Sequence, residues 1–217
     1  MNTISPKQIE RLILYRRILI AINTEEKTHI FSHELAKLTG FTPAQIRRDI
    51  MVVGYSGSPV HGYHLNELLN GISSFIDSAE VQNVALIGIG HLGRAVLTYF
   101  KGRRPKLSIA ASFDNDESKV DRVIHGCRVY HTNILEKVIK EMNINVAILT
   151  IPAESAQDLA DRVISVGVKG ILNYAPIKLN APPDVYIENR DMIMAVEKAA
   201  YFARQQISEE SLYELHS

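Results

Sequence analysis

From Val84 onward the chain alternates short apolar runs with longer stretches whose apolar residues recur every three or four positions. The runs fall at 84–87, 107–113, 127–130, 146–151, 168–173 and 185–188, and helical periodicity covers 133–143 and 154–166. Continuous apolar strands bounded by amphipathic helices predict a parallel sheet covered on both faces, a doubly wound α/β domain. The first eighty residues carry a different pattern. Ile9, Leu12, Ile13 and Ile20 fit one long helix with Pro6 near its start. Ser32 is expected to cap a short helix over 33–39 that Gly40 ends, and Thr42 with Pro43 to open another. Two short helices joined by a glycine-containing turn make a helix-turn-helix, and the glycine-punctuated residues 54–63 read as a hairpin wing. The expected boundaries are 1–79 for this winged domain, 80–190 for the α/β domain and 191–217 for a terminal helix and tail.

The run at 84–87 ends in Gly88-Ile89-Gly90-His91-Leu92-Gly93, a G-x-G-x-x-G spacing between a predicted strand and a predicted helix. Gly88 permits the tight turn, Gly90 a close approach of a pyrophosphate, and Gly93 close packing of helix on strand. A pyrophosphate would then rest on the unpaired N–H groups and positive dipole end of the helix opened by Leu92, with Ile89 and His91 of the loop counted among the cofactor-binding residues. The next run ends at Asp114, about twenty residues beyond Gly93, where a carboxylate accepts the hydroxyls of an adenosine ribose. That carboxylate repels a 2′-phosphate and no arginine follows it directly, so NAD is expected over NADP. Ligands of such sheets lie beyond the carboxyl ends of the strands, which nominates Thr150, Ile151, Pro152 and Ala153, and Asn173, Tyr174, Ala175 and Pro176, for the nicotinamide end. Glycines also mark ordinary strand-to-helix turns, and that plainer reading of each loop stands beside this one.

On the second short helix Ile46 and Ile50 are four apart and face the core, leaving Ala44 and Arg48 on the opposite face with Gln45 and Arg47 at its edges. These residue types read base edges and clamp phosphates, and Ser56, Gly57 and Ser58 of the wing complete the candidate DNA surface. The whole chain has no formal net charge, yet residues 1–60 hold eight Lys and Arg against five Asp and Glu. A helix-turn-helix used for protein contact fits the same pattern. With 46% hydrophobic and 22% charged residues the 217-residue composition is that of a globular protein of one or two domains. No apolar run reaches the roughly eighteen residues of a membrane span and the start lacks a signal-peptide pattern, so a cytoplasmic setting without membrane contact is expected. Cys127 is the single cysteine and lies in a predicted strand, as a core residue would. His61 and His64 have no companion ligands in sequence, so no metal site is expected. A dehydrogenase would need a second domain and an acid or base beside the nicotinamide, whereas 29 residues follow Glu188. No catalytic residues are assigned.

Several separated segments together resemble the Rex redox-sensing repressors of bacteria: Pro-Ala-Gln-Ile-Arg-Arg-Asp at 43–49, residues 83–95 around the glycine turn, Phe-Asp-Asn-Asp at 113–116, Ala-Ile-Leu-Thr-Ile-Pro-Ala-Glu at 147–154, and residues 167–176. The resemblance implies an N-terminal winged helix, a Rossmann domain that responds to NADH against NAD+, and a homodimer with an exchanged C-terminal helix that binds an inverted-repeat operator. That helix would be 191–206, with Met192, Val196, Ala199, Ala200 and Ala203 as its apolar stripe. The resemblance also suggests a switch built from Arg11, Tyr99 and Asp191, in which Asp191 pairs with Arg11 across the subunit boundary or with Tyr99 when NADH is bound. This chain departs from the family pattern at Met51-Val-Val-Gly-Tyr-Ser, where the family usually carries a Ser-Tyr-Phe-Gly type of sequence, and at His91, which stands for a more usual asparagine. The alternative is an NAD- or CoA-binding module fused to an interaction domain that binds no DNA.

Overall fold

The computed structural model describes residues 4–24, 27–100, 102 and 106–214, with side chains to residue 205. It divides into two compact units, Met1–Glu80 and Val81–Ser217.

In the first unit, α1 (Pro6–Ile22) begins behind Ser5, whose Oγ accepts the Gln8 N–H at 3.3 Å. A two-residue strand β1 (His29–Ile30) leads to α2 (Ser32–Thr39), and Gly40 ends that helix at φ +75°. Capping here differs from the expectation. Ser32 is the first helical residue, and Glu34 Oε2 takes the Phe31 N–H at 2.8 Å instead. The reason is tertiary, since Ser32 Oγ accepts from Arg47. α3 (Pro43–Val52) does start as predicted, with Thr42 Oγ1 accepting the Gln45 N–H at 3.2 Å. The wing is smaller than a full hairpin. Ser58 and Gly62 form one bridge, and the returning arm, β2 (Tyr63–His64), pairs antiparallel with β1 rather than with its own outgoing arm. The glycines, serine and proline of the outgoing arm lack the side chains that hold a ladder. α4 (Leu65–Ile76) was not anticipated, although Leu65, Leu68 and Ile72 face the core at helical spacing. The core of this unit is Leu12, Tyr15, Leu19, Ile30, Leu35, Ile46, Ile50, Leu65, Leu68 and Ile72. Each such aliphatic side chain contributes about 1.5–3 kcal/mol by leaving water.

The second unit is a seven-stranded sheet. Its strands are β3 (Gln82–Ile87), β4 (Leu107–Asp114), β5 (Val123–Ile124), β6 (Cys127–His131), β7 (Ile144–Leu149), β8 (Gly170–Asn173) and β9 (Tyr186–Asn189). Their spatial order is β5-β6-β4-β3-β7-β8-β9, and every pairing is parallel except β5 with β6. Without β5 this is the dinucleotide-binding order, in which the chain reverses direction across the sheet between β3 and β7. β5 was not read from the sequence. It turns into β6 through His125 and Gly126, both at positive φ, the conformation a tight two-residue hairpin requires. The helices are α5 (His91–Phe100), α6 (Leu135–Glu141), α7 (Ala153–Ser165) and α8 (Met192–Glu214). α6 is shorter than its periodicity suggests because a 3-10 turn, Thr132–Ile134, precedes it and Asn143 at φ +54° follows. Cys127 is buried, and burial holds its thiol pKa above the usual value. Among the described residues no helix is long and apolar enough to cross a membrane.

Candidate nucleotide site and nucleic-acid interface

The glycine loop leaves β3 at the reversal point and is held from both sides. Gly88 N–H donates to Phe113 O at 2.8 Å, Thr150 N–H donates to Ile87 O at 2.9 Å, and Thr150 Oγ1 donates to Gly88 O at 2.7 Å. The three glycines do different work. A Cβ on Gly88, at φ +94°, would lie 2.5 Å from Thr150 O, and one on Gly93 would lie 2.1 Å from Gly88 O. Both positions are closed by the protein itself. A Cβ on Gly90 would meet nothing within 4 Å, so the space there is open to a ligand. Ile89 is fully buried and its N–H donates to Asp114 Oδ2 at 2.7 Å, while His91 is exposed at the start of α5. Leu92 follows on the first turn, half-buried.

Asp114 ends β4 and is itself buried. Besides Ile89 it accepts from Asp116 N–H at 3.0 Å and Lys119 Nζ at 3.1 Å. Burial by itself would raise its pKa, but the two backbone donors and Lys119 outweigh that and hold it below the usual carboxylate value. A carboxylate has about four acceptor positions, so three donors leave capacity for a hydroxyl. A cavity of about 320 Å³ opens beside it, lined by Gly88, Asp114, Asn115, Thr132, Ile151, Pro152, Asp158 and Arg162 among others. Ile151 and Pro152, expected toward a nicotinamide, thus share a cavity with Asp114. Asn173 is turned inward instead. Its Nδ2 donates to Ile177 O and Asn189 Oδ1, both at 2.9 Å, and its Oδ1 accepts the Ala175 N–H at 3.0 Å, so it braces the turn after β8. Tyr174 packs, half-buried, against the core around β3 and α5. Asn115, Lys119, Thr132, Asp158 and Arg162 were missed. The 3–4 spacing of Ser155, Asp158 and Arg162 on the first turns of α7 was the available signal. Arg162 holds Glu136 at 2.6 Å and Thr132 O at 2.7 Å.

In the first unit α3 buries Ile46, Asp49 and Ile50 and exposes Ala44, Arg47 and Arg48, with Gln45 half-buried. Arg47 Nη1 donates to Ser32 Oγ at 3.0 Å, across the helix-turn-helix. At the wing Ser58 and Gly62 exchange two backbone hydrogen bonds, at 2.7 and 2.8 Å, and Ser58 Oγ accepts from Val60 and His61 N–H. Gly57 lies against the Tyr63 ring, where a Cβ would be 2.6 Å from Cδ1, and Ser56 is exposed. Among the described residues no group of three His, Cys, Asp or Glu is arranged to hold a metal.

Asp49 is the residue that periodicity missed. At 2% exposure it accepts from Arg11 Nε at 2.6 Å, Arg11 Nη2 at 2.8 Å, Tyr15 Oη at 2.9 Å and Gln8 Nε2 at 3.1 Å. Burial would raise its pKa, and the donors with the Arg11 charge reverse the effect and hold it low. The cluster fastens the recognition helix to α1, and it engages Arg11 within its own domain. Asp49→Ala would leave a cation and a buried hydroxyl without their acceptor, and is expected to destabilise this unit by roughly 3–5 kcal/mol. Urea unfolding followed by circular dichroism checks this; a loss below ~1 kcal/mol would show that the cluster is incidental. Because its folded pKa is depressed, the Asp49 contribution is fully present above its ordinary value of 3.8 and is lost as pH falls through the folded value. Of the other residues that the resemblance suggests for a switch, Tyr99 stands 62% exposed on α5, and Asp191 Oδ1 accepts the Met194 N–H at 2.9 Å to cap α8. Along α8 Met192, Ile193, Met194, Val196, Tyr201 and Phe202 are all more than half exposed.

Family models match both units: "Putative DNA-binding protein N-terminus" over residues 3–50 and "CoA binding domain" over 79–177. The redox-sensing transcriptional repressor Rex of Natranaerobius thermophilus is 37% identical over 207 residues, covering 95% of this chain and 94% of that protein. The protein of the same name from Geobacillus kaustophilus is 39% identical, covering 90% and 91%. Among solved structures, that of RSP, a Rex-family repressor, in complex with β-NAD+ and operator DNA superposes with a TM-score of 0.89 at 29% identity, covering 98% of each chain. Its complex with β-NADH gives 0.83 and covers 100% of both. The relatives are regulators of transcription by name, and identity of this degree along nearly the whole length shows that the chain belongs to the Rex family of redox-sensing transcriptional repressors.

Proposed function

We propose that this protein is a redox-sensing repressor that binds an inverted-repeat operator as a homodimer and leaves it when NADH binds. The observation that carries this is the pairing of two separate chemistries in one chain. One unit holds a glycine loop with an open approach at Gly90 and a buried carboxylate at its edge; the other exposes two arginines on the second helix of a helix-turn-helix. A bound dinucleotide supplies the redox state that is read. The N–H groups that open α5 would meet its pyrophosphate and Asp114 its adenosine ribose, with Ile151 and Pro152 beside that ribose. Arg47 and Arg48, with Gln45 and the wing at Ser56–Ser58, would meet the DNA, and the protein acts in the cytoplasm. We read the nucleotide as a signal that is not turned over, as the names of the relatives, transcriptional repressors, suggest.

The switch that best fits uses Asp191 of one subunit between Arg11 and Tyr99. Arg11 gives Nε and Nη2 to Asp49 and keeps further N–H donors, so a second carboxylate has a face to bind. Reciprocity tests the reading. NADH is expected to weaken operator binding, and operator to weaken NADH binding, by the same factor of about 5–150. Calorimetric titration of NADH with and without operator at fixed salt measures it. Equal NADH affinity in the two conditions would end the redox-repressor reading, and coenzyme A displacing NADH in the absence of DNA binding would favour a CoA module.

A further inference from the structure

α3 exposes two apolar side chains that neither phosphate binding nor the domain core accounts for, Met51 and, less so, Val52. Arg47 and Arg48 lie three and four residues after Ala44, and Met51 lies four and three residues after them, so these residues share the exposed side of the helix, while Ile46, Asp49 and Ile50 are buried on the other. Met51 is 68% exposed and stands on the side of the helix that carries the two arginines. It stands three residues, about 4.5 Å of helix rise, beyond Arg48, which is close to one base step of about 3.4 Å. In the major groove the apolar feature among the base edges is the C5-methyl of thymine. A thioether on three rotatable bonds adapts well to such a methyl, and the flanking guanidiniums would hold the helix in the groove by charge.

We propose that Met51 is a specificity-determining residue that reads a thymine C5-methyl adjacent to the base pair met by Arg48. The proposal rests on the DNA-binding reading given above. The probe is a duplex enriched by the full-length parent from a random library, with each thymine then replaced singly by deoxyuridine, which removes the methyl and keeps the hydrogen-bonding edge. A single replacement, in one half-site, is expected to weaken the parent about fourfold, the value of one buried methyl group. Met51→Ala, which changes both subunits, is expected to bind the thymine duplex about sixteenfold more weakly and to bind the thymine and uracil duplexes equally, whereas Met51→Leu restores the preference. Arg48→Ala should weaken both duplexes alike and leave their ratio intact. Circular dichroism and NADH titration of each variant separate a folding defect from a contact. A thymine preference that survives unchanged in Met51→Ala, or a parent indifferent to every replacement, overturns the assignment while leaving DNA binding in place. A parent that enriches no duplex overturns both.

Discussion

Gly90→Val is expected to fold as the parent does and to bind NADH at least a hundredfold more weakly. A Cβ at residue 90 meets no protein atom within 4 Å, and the backbone there is outside the left-handed region, so valine is accommodated in the free protein. Its branches then fill the space through which the pyrophosphate reaches the N–H groups at the start of α5. Losing that approach removes charge-assisted hydrogen bonds of about 1.5–3 kcal/mol each, and two of them already amount to roughly a hundredfold. Gly93→Val should fail differently. Its Cβ would lie 2.1 Å from Gly88 O, so the damage appears in folding before any ligand is added. Thermal melts by circular dichroism separate the two, and calorimetry measures NADH. A folded Gly90→Val that binds NADH like the parent would reduce the glycine spacing to a structural turn.

Deletion of residues 191–217 is expected to convert a homodimer into monomer or aggregate and to abolish operator binding at concentrations where the parent binds. The reason is the exposure of α8. Met192, Ile193, Met194, Val196, Tyr201 and Phe202 are each 51–69% exposed and lie around the helix rather than along one stripe, as in a helix surrounded by partner surface. The sequence stripe named only Met192, Val196 and three alanines on that helix, so its exposed apolar surface is wider than periodicity suggests. An exchanged helix covers these residues in both copies at once, and a two-fold assembly places two recognition helices on an inverted repeat. Sedimentation velocity decides the matter, and a stable dimer after truncation would rule out exchange. Operator binding lost together with the dimer would follow from halving the phosphate contacts, which act additively on a duplex.

Much of the geometry of the candidate site was legible because its determinants are local. The turn at Gly88 to Gly93, the carboxylate at Asp114 and the solvent face of α3 each follow from spacing within one element and its neighbour, since strand and helix periods dictate which side chains share a face. The same holds for the parallel sheet, whose strands are apolar on both faces. Long-range packing decided the rest. Asp49 sits one residue from Arg48 and has the look of a surface charge, yet it is buried because Gln8, Arg11 and Tyr15, between 34 and 41 residues away, converge on it. Asn173 ends a strand where a ligand contact was expected, and the turn at Ala175–Ile177 together with Asn189 takes its amide instead. The returning arm of the wing pairs with His29 and Ile30, more than thirty residues earlier. A polar side chain's place in a pattern is set by its own helix or strand, but the partner that satisfies it comes from whichever distant element packs there, and the need to satisfy buried polar groups made those choices.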